Sequence, residues 1–493
     1  MDTDMVDRCK EGEIVLEKRI HIINNGDDIV CKTVPEYYFT PPESEQPDRR
    51  AINQPPEDWL PITQSRKGNS WTATFHLLSS GIGVQTLSLP FAFMYLGWFW
   101  GILCLSLAFV WQLYTILLLV DLHESISGTR YSRYLQLSVI AFGVKLGKVL
   151  AIFPLMYLSG GSCVMFIITG GGTLKLFYQL LCEDCSSKNP LTTSQWFLVF
   201  ICLATLVSMF CPNLHSVALV SVLGAIMAVG YSTILWVLFI NKERVNDLVH
   251  DPSKVTESKA DRIRNIMNAL GIIFLAFRGH NVVLEIQGTL PSAPHRSSSK
   301  LMRISVVASY LLIAMCFIPL TVVGYWALGN KIRANGGLLT ALSTTLHHHT
   351  SKLVVGLLYV QVVISCVCAF QIYGMVVYDN LERVYASRKG HKCPKLTSIG
   401  IRIFFGGLTF FIAVAFPFLP SIGLLIGGIA LPVTYGYPCL MWIAIKKPPT
   451  ISARWWFNLG LGCLSVGLSV LLVFCAVWNL ACRGLDANFF HPR

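Results

Sequence analysis

Between Ile266 and Leu290, an apolar stretch long enough to cross a bilayer carries Arg278-Gly279-His280-Asn281 at its middle and Glu285 further on. A charged group at a bilayer centre costs roughly 2.5–3.5 kcal/mol on insertion scales, so these residues face a protein interior or a wet cavity and mark a transport path. The chemistry they offer is proton exchange and the holding of small charged groups. Histidine titrates near neutrality, and desolvation brings a buried carboxylate toward the same range. His280 and Glu285 are therefore the candidates for proton coupling. The blander readings are a hydrogen bond from His280 to a facing carbonyl, and Glu285 as a structural acceptor for Arg278 or a hydroxyl. Arg278, Asn281 and Glu285 share one helix face at i, i+3 and i+7. Arg278 and Glu285 stand about 10 Å apart along an intact helix, so they pair only if Gly279 breaks it.

Such residues need a membrane scaffold, and the rest of the chain supplies one. Of 493 residues, 53% are hydrophobic and 13% charged, whereas soluble domains carry about 25% charged residues. The first 67 residues hold 14 of the 27 acidic groups and 9 of the 39 basic ones, leaving 30 basic against 13 acidic in the remainder. That opening segment is rich in Pro, Asp and Glu and has no apolar run after Met1, which predicts a disordered cytoplasmic tail over 1–67. The positive charge of the body fits the cytosolic loops of a membrane protein, and no basic run interleaved with aromatics points to nucleic acid.

Apolar spans fall near 71–92, 98–120, 149–181, 194–211, 217–240, 266–290, 304–328, 353–378, 399–416, 421–445 and 455–481. They predict an all-α integral membrane protein of about 11 transmembrane helices. Lysines and arginines at Arg130, Arg133, Lys145, Lys148, Arg383, Arg388 and Lys389 favour a cytoplasmic N-terminus and an extracellular C-terminus, against the equally basic stretch Asn241 to Asn265. Asp121 and Asp379 lie at helix ends and read as solvated surface groups.

Spans two to five recur as spans seven to ten with a shift of about 204 residues. An odd number of helices per copy inverts the second copy, giving the 5+5 inverted-repeat plan of secondary transporters. Repeat one covers 68–246 and repeat two 247–448, with an eleventh helix and short extracellular tail over 449–493. In this plan the first helix of each repeat is interrupted at the midplane. The first span contains Ser79-Ser80-Gly81-Ile82-Gly83-Val84-Gln85-Thr86 before Pro90, and the sixth contains Phe277-Arg278-Gly279-His280-Asn281 before Pro291. Glycine permits unwinding, and unwound backbone with half-helix ends can hold an amino acid's carboxylate and ammonium. Ser80, Gly81, Ile82, Gly83, Gln85, Phe277, Arg278, Gly279 and His280 are the substrate-binding candidates. For the glycines, close helix packing is the alternative.

The run from Gly279 to Gln287, with Phe75-His76, Leu89-Pro90 and Gln371-Ile372-Tyr373-Gly374-Met375, resembles the plant amino acid/auxin permease family, and within it the lysine/histidine transporter-like group. The likeness covers about 58–450. It implies a leucine-transporter-class fold and proton-coupled carriage of amino acids. Gln85, Ser159 and Arg278 stand where that group usually has Gly, Glu and a small residue, marking a divergent subset in which lysine is disfavoured. Tyr157, Ser159, Ser365 and Gln371 are expected as further walls of the site, and His76 as a packing or gating residue.

Other motifs carry less. Cys182 and Cys185 read equally as a loop disulfide or a plain loop. His347-His348-His349 reads as a solvated run, not a metal site, and Gly170-Gly171-Gly172 is not a nucleotide loop. No nucleophile, base and orienting group fall in a recognisable order, and no cofactor is expected beyond the proton as coupling ion. The expected function is plasma-membrane symport of amino acids, neutral or acidic ones before cationic ones. The alternatives are a permease for auxin or another organic acid, and an amino acid sensor with little flux.

Overall fold

The computed structural model describes residues 20–25, 28–33 and 55–483, apart from 127–128, 183–190, 242–247, 249, 253–257, 278, 293–296, 333–336, 343–350 and 417–422. The chain divides into two units after Pro55. In the first, β1 (Ile20–Asn25) pairs antiparallel with β2 (Asp28–Thr33), Ile20 opposite Thr33 and Asn25 opposite Asp28. Over 20–25 and 28–33 this departs from the disorder expected of 1–67. The β-branched residues Ile20, Ile22, Ile23, Ile29 and Val30 flank an Asn-Gly-Asp sequence, a local hairpin signal that the segment's average composition hides. Residues beyond 56 also depart from that expectation, because they belong to the helical unit. A 3-10 turn at Glu57–Trp59 leads into Leu60 and Ile62, both buried.

The helical unit begins with α1 (Ser70–Gly81), a 3-10 turn at Val84–Ser88 and α2 (Leu89–Leu122). There follow α3 (Tyr134–Phe142), α4 (Val144–Leu181), α5 (Thr193–Phe210), α6 (Ala218–Ile240), α7 (Lys259–Ala276), α8 (Val283–Gly288) and α9 (Ser298–Leu328). The rest is α10 (Gly337–Ala341), α11 (Lys352–Lys389), α12 (Lys395–Ala415), α13 (Gly423–Leu431), one π-turn at Pro432–Gly436, α14 (Tyr437–Lys446) and α15 (Ala453–Arg483). In hydrocarbon every backbone group needs an internal partner, which is why unbroken apolar runs become helices.

Among the described residues, nine helical stretches are long and apolar enough to cross a membrane. The two that complete eleven crossings are interrupted. The first is α1 continued by the 3-10 turn and the opening turns of α2, which bends at Gly97 (φ 71°) before the second crossing. The sixth is α7 continued by α8. Both interruptions fall in the first helix of a five-helix half, as the repeat predicts.

Two features depart from the spans. The sequence predicts only a loop over 121–148, yet α3 lies there, too short to register as a crossing. Cys182 is disulfide-bonded, while Cys185 and the histidine run lie outside the described residues.

Inside the bundle α4 and α11 run together, α6 packs on α11, and α1 lies against α6 and α9. Small residues allow this approach: a Cβ on Gly224 of α6 would come within 2.5 Å of Cys368 Cβ on α11.

Candidate functional site

The break in the first crossing is built from both sides. Asn69 caps α1, its Oδ1 accepting from the Thr72 N–H at 2.8 Å. The helix runs to Gly81, where a Cβ would come within 2.6 Å of Ile313 Cδ1 on α9. Pro90 lacks the N–H that would continue a helical ladder from Thr86, and it sits in the first turn of the new helix, where that loss costs nothing. The freed Gly83 carbonyl accepts from the Thr86 hydroxyl at 2.6 Å. The Ser80 carbonyl accepts from the Tyr373 hydroxyl of α11 at 3.0 Å. Gln85 is buried, and neither atom of its amide head has a hydrogen-bond partner.

In the sixth crossing α7 ends at Ala276, Phe277 is extended, and Gly279 takes φ 129°, a conformation that L side chains rarely adopt. The Val282 and Val283 N–H groups then donate to the Gly279 carbonyl at 3.1 and 2.8 Å and start α8. Among the described residues, the break projects Phe277, His280 and Asn281. Phe277 packs between Phe109, edge to face, and a tilted Phe317, with ring centroids 5.6 and 5.4 Å away. His280 Nε2 lies 2.9 Å from the Thr115 hydroxyl of α2. Asn281 donates through Nδ2 to Ser159 Oγ of α4 at 3.0 Å.

Beside this break is a cavity of about 10 Å³, room for roughly one water. Phe277 and Asn281 of the break, Leu158 and Ser162 of α4, Tyr373 of α11 and Thr434 of the π-turn line it. Its walls are apolar with a few neutral polar groups.

The expected site residues divide accordingly. Ser80, Gly81, Ile82, Gly83, Phe277, Gly279, His280 and Ser159 are buried in or against the two breaks. Tyr157 is partly buried on α4, and Ser365 is buried on α11. Arg278 lies outside the described residues. Gln371 does not line the cavity: its Nε2 donates to the Ala204 carbonyl of α5 at 2.9 Å and to the Val367 carbonyl at 3.2 Å. Two residues on a helix point about 200° apart, so Tyr373 takes the inward position expected of Gln371. His76 packs α1 on α6, its Nδ1 2.7 Å from Ser221 Oγ.

Glu285 stands away from the cavity, on α8 toward the end of the bundle where α1 begins, here called the proximal end. It is 1% exposed. Its Oε1 accepts from the Tyr134 N–H at 3.4 Å, and its Oε2 has no partner.

Arg133, the residue before α3, joins three elements there. Its Nε donates to Asp379 Oδ2 of α11 at 2.6 Å, and its Nη1 to both Glu57 oxygens at 3.0 Å. Asp379 Oδ1 also accepts from the Ile62 N–H at 3.2 Å. Burial would raise the Glu57 carboxyl, but the Arg133 guanidinium outweighs it and holds the group below its ordinary value. Asp379 therefore corrects its surface reading: it is fully buried because a cation and a backbone donor draw it in. Asp121 fits that reading, partly exposed and paired with Arg303 at 2.5 Å.

Thr115, Tyr373, Thr434 and Arg133 carry no local sequence signal of these roles. Helical phase around Gln371 is the one cue that points to Tyr373.

The family described as transmembrane amino acid transporter protein matches residues 66–481. Lysine histidine transporter-like 7 of Arabidopsis thaliana is 47% identical over 438 residues, which cover 89% of this chain and 90% of that protein. Lysine histidine transporter-like 8 of the same plant is 45% identical over 438 residues, covering 89% and 84%. A Na+-coupled sialic acid symporter solved in a substrate-bound outward-open state superposes with a TM-score of 0.53, covering 87% of this chain and 93% of the other at 11% identity, a likeness of fold alone.

Proposed function

Because the chain belongs to the transmembrane amino acid transporter family, we propose that it carries amino acids together with protons across the plasma membrane. The observation that supports this most is the pair of broken crossings, the sixth lining a small cavity and the first tied to it through Tyr373, with a histidine in one break and a buried carboxylate just past it. Substrate backbone groups would bind at the unwound segments near Ser80 to Gly83 and Phe277 to His280. Glu285, and His280 with it, would handle the proton. The proximal end would face the cytosol, following the lysine and arginine bias.

Uptake into proteoliposomes is expected to rise when the outside is acidified and to persist without sodium. Uptake abolished by sodium removal, yet indifferent to collapse of the pH gradient, would defeat the proton reading.

Substrate preference would be neutral or acidic. The polar groups of the described cavity lining are neutral, and the sequence sets a cation, Arg278, between Phe277 and Gly279. A lysine or arginine side chain would meet like charge there. Arg278→Ala is expected to weaken uptake of acidic and neutral substrates relative to cationic ones in a competition panel that includes auxin. An unchanged panel from well-folded protein would remove Arg278 from the site.

A further inference from the structure

Four consecutive contacts from the segment before and at the start of α3 reach the two ends of α8 and the elements around it. Arg130 donates from Nη2 to the Leu290 carbonyl just beyond α8, at 2.8 Å, and to the Gln287 carbonyl in its last turn, at 3.3 Å. Arg133 closes the Glu57 and Asp379 cluster. The Tyr134 N–H, the first of α3, points at Glu285. The Tyr134 hydroxyl donates to the Val433 carbonyl of the π-turn at 2.8 Å. Leu60 and Ile62 are buried, and the Ile62 N–H is bonded to Asp379 within this clasp, the arrangement called shut below.

The charges do not balance for an ionised Glu285 in this arrangement. Of the groups around it, Arg133 is engaged by two other carboxylates, Arg130 is paired with Glu124 at 3.3 Å, and Asp379 repels it. Tyr134 offers only its N–H. From α9 Ser298 and Ser299 face the neighbouring Gln287, and from the end of α2 come the Val120 carbonyl and the buried His123. A buried carboxylate whose donors are backbone N–H groups alone, its own and that of Tyr134 at 3.4 Å, fits as a neutral acid and not as a buried anion. Losing its proton would favour any rearrangement that admits water or draws Arg133 off Asp379.

We infer that Glu285 is the proton switch of the proximal gate, read by the first turn of α3: the shut arrangement binds its proton more tightly than the open one, so proton release favours opening. By linkage the same preference makes opening release the proton. This rests on the proton-coupled reading for its physiological meaning, but its test needs no flux.

Ile62→Cys places a thiol under the clasp. Its labelling by a membrane-impermeant maleimide, followed by peptide mass in purified full-length protein in nanodiscs, reports opening. Comparing otherwise wild-type protein with Glu285→Gln at each pH cancels the pH dependence of the thiol itself. The ratio is expected to be near one in acid and to rise at least about tenfold as pH increases. A ratio of one throughout would overturn the assignment.

Should Glu285→Gln misfold, a second pair decides. Tyr134→Ala removes the side chain and keeps the N–H, while Tyr134→Pro removes both at the first helical position, where proline is well accepted. Without the N–H the shut anion is less stable, so the proline variant is expected to show a several-fold larger rise in labelling from acid to alkali than the alanine variant. Equal rises would overturn the role of α3. If gating follows pH while proteoliposomes show no proton-driven uptake, the symport reading fails and the switch stands.

Discussion

Arg133→Ala is expected to destabilise the protein by about 3–5 kcal/mol, the usual loss when one member of a buried ion pair is removed. Asp379 is fully buried, and its carboxylate receives two bonds from Arg133 and one from the Ile62 N–H. Glu57, at 36% side-chain exposure, keeps water and loses little. Most of the loss therefore belongs to Asp379. Combining Arg133→Ala with Asp379→Asn is expected to recover much of it, because the amide oxygen still accepts from Ile62 while the stranded charge is gone. Thermal unfolding of the purified single and double variants measures this. A double variant no more stable than Arg133→Ala would mean that Asp379 needs no counter-ion.

Glu285→Gln is expected to reach the membrane and bind substrate while concentrative uptake collapses. Glutamine keeps the size of the side chain and an acceptor for the Tyr134 N–H, but cannot exchange a proton. With one proton per substrate, a gradient of two pH units supports roughly 100-fold accumulation. The variant should bring inside and outside concentrations no further apart than equality. Binding of labelled substrate to purified protein, read beside uptake, separates this from misfolding. Normal accumulation at normal surface expression would make the carboxylate structural.

The fold was largely legible because hydropathy acts over 20 residues at a time and tolerates local error. The repeat followed from span spacing, and both breaks from Gly81, Gly83 and Pro90 in one helix and Gly279 in the other. Contacts between distant segments were not legible. Asp379 and Arg133 are 246 positions apart and each looks like a helix-end surface charge; only packing brings them within 2.6 Å. Gln371 lies off the cavity lining for a different reason. A family motif names a stretch of helix, whereas the face that meets the cavity depends on rotation about the axis, which placed Tyr373 inward and Gln371 on α5. The hairpin near the N-terminus was obscured by averaging, since a dozen residues with strand character sit within an acidic, proline-rich stretch.

The backbone around Gly68 has a mechanical side. Its N–H donates to the Thr289 carbonyl at 3.0 Å, and a Cβ there would come within 2.9 Å of the Thr289 hydroxyl oxygen, so only glycine fits the approach. This single bond joins the lead-in to α1 with the residue just past α8. Gln287, one turn back, is fastened to Ser298 and Ser299 at the start of α9. The proximal halves of both broken helices are thus yoked, and a force that tilts one is delivered to the other without passing through the cavity. Under the proposed function, such a pair would move as one lever and not as two independent flaps, keeping the two halves of the substrate's cradle in register while the floor beneath them opens.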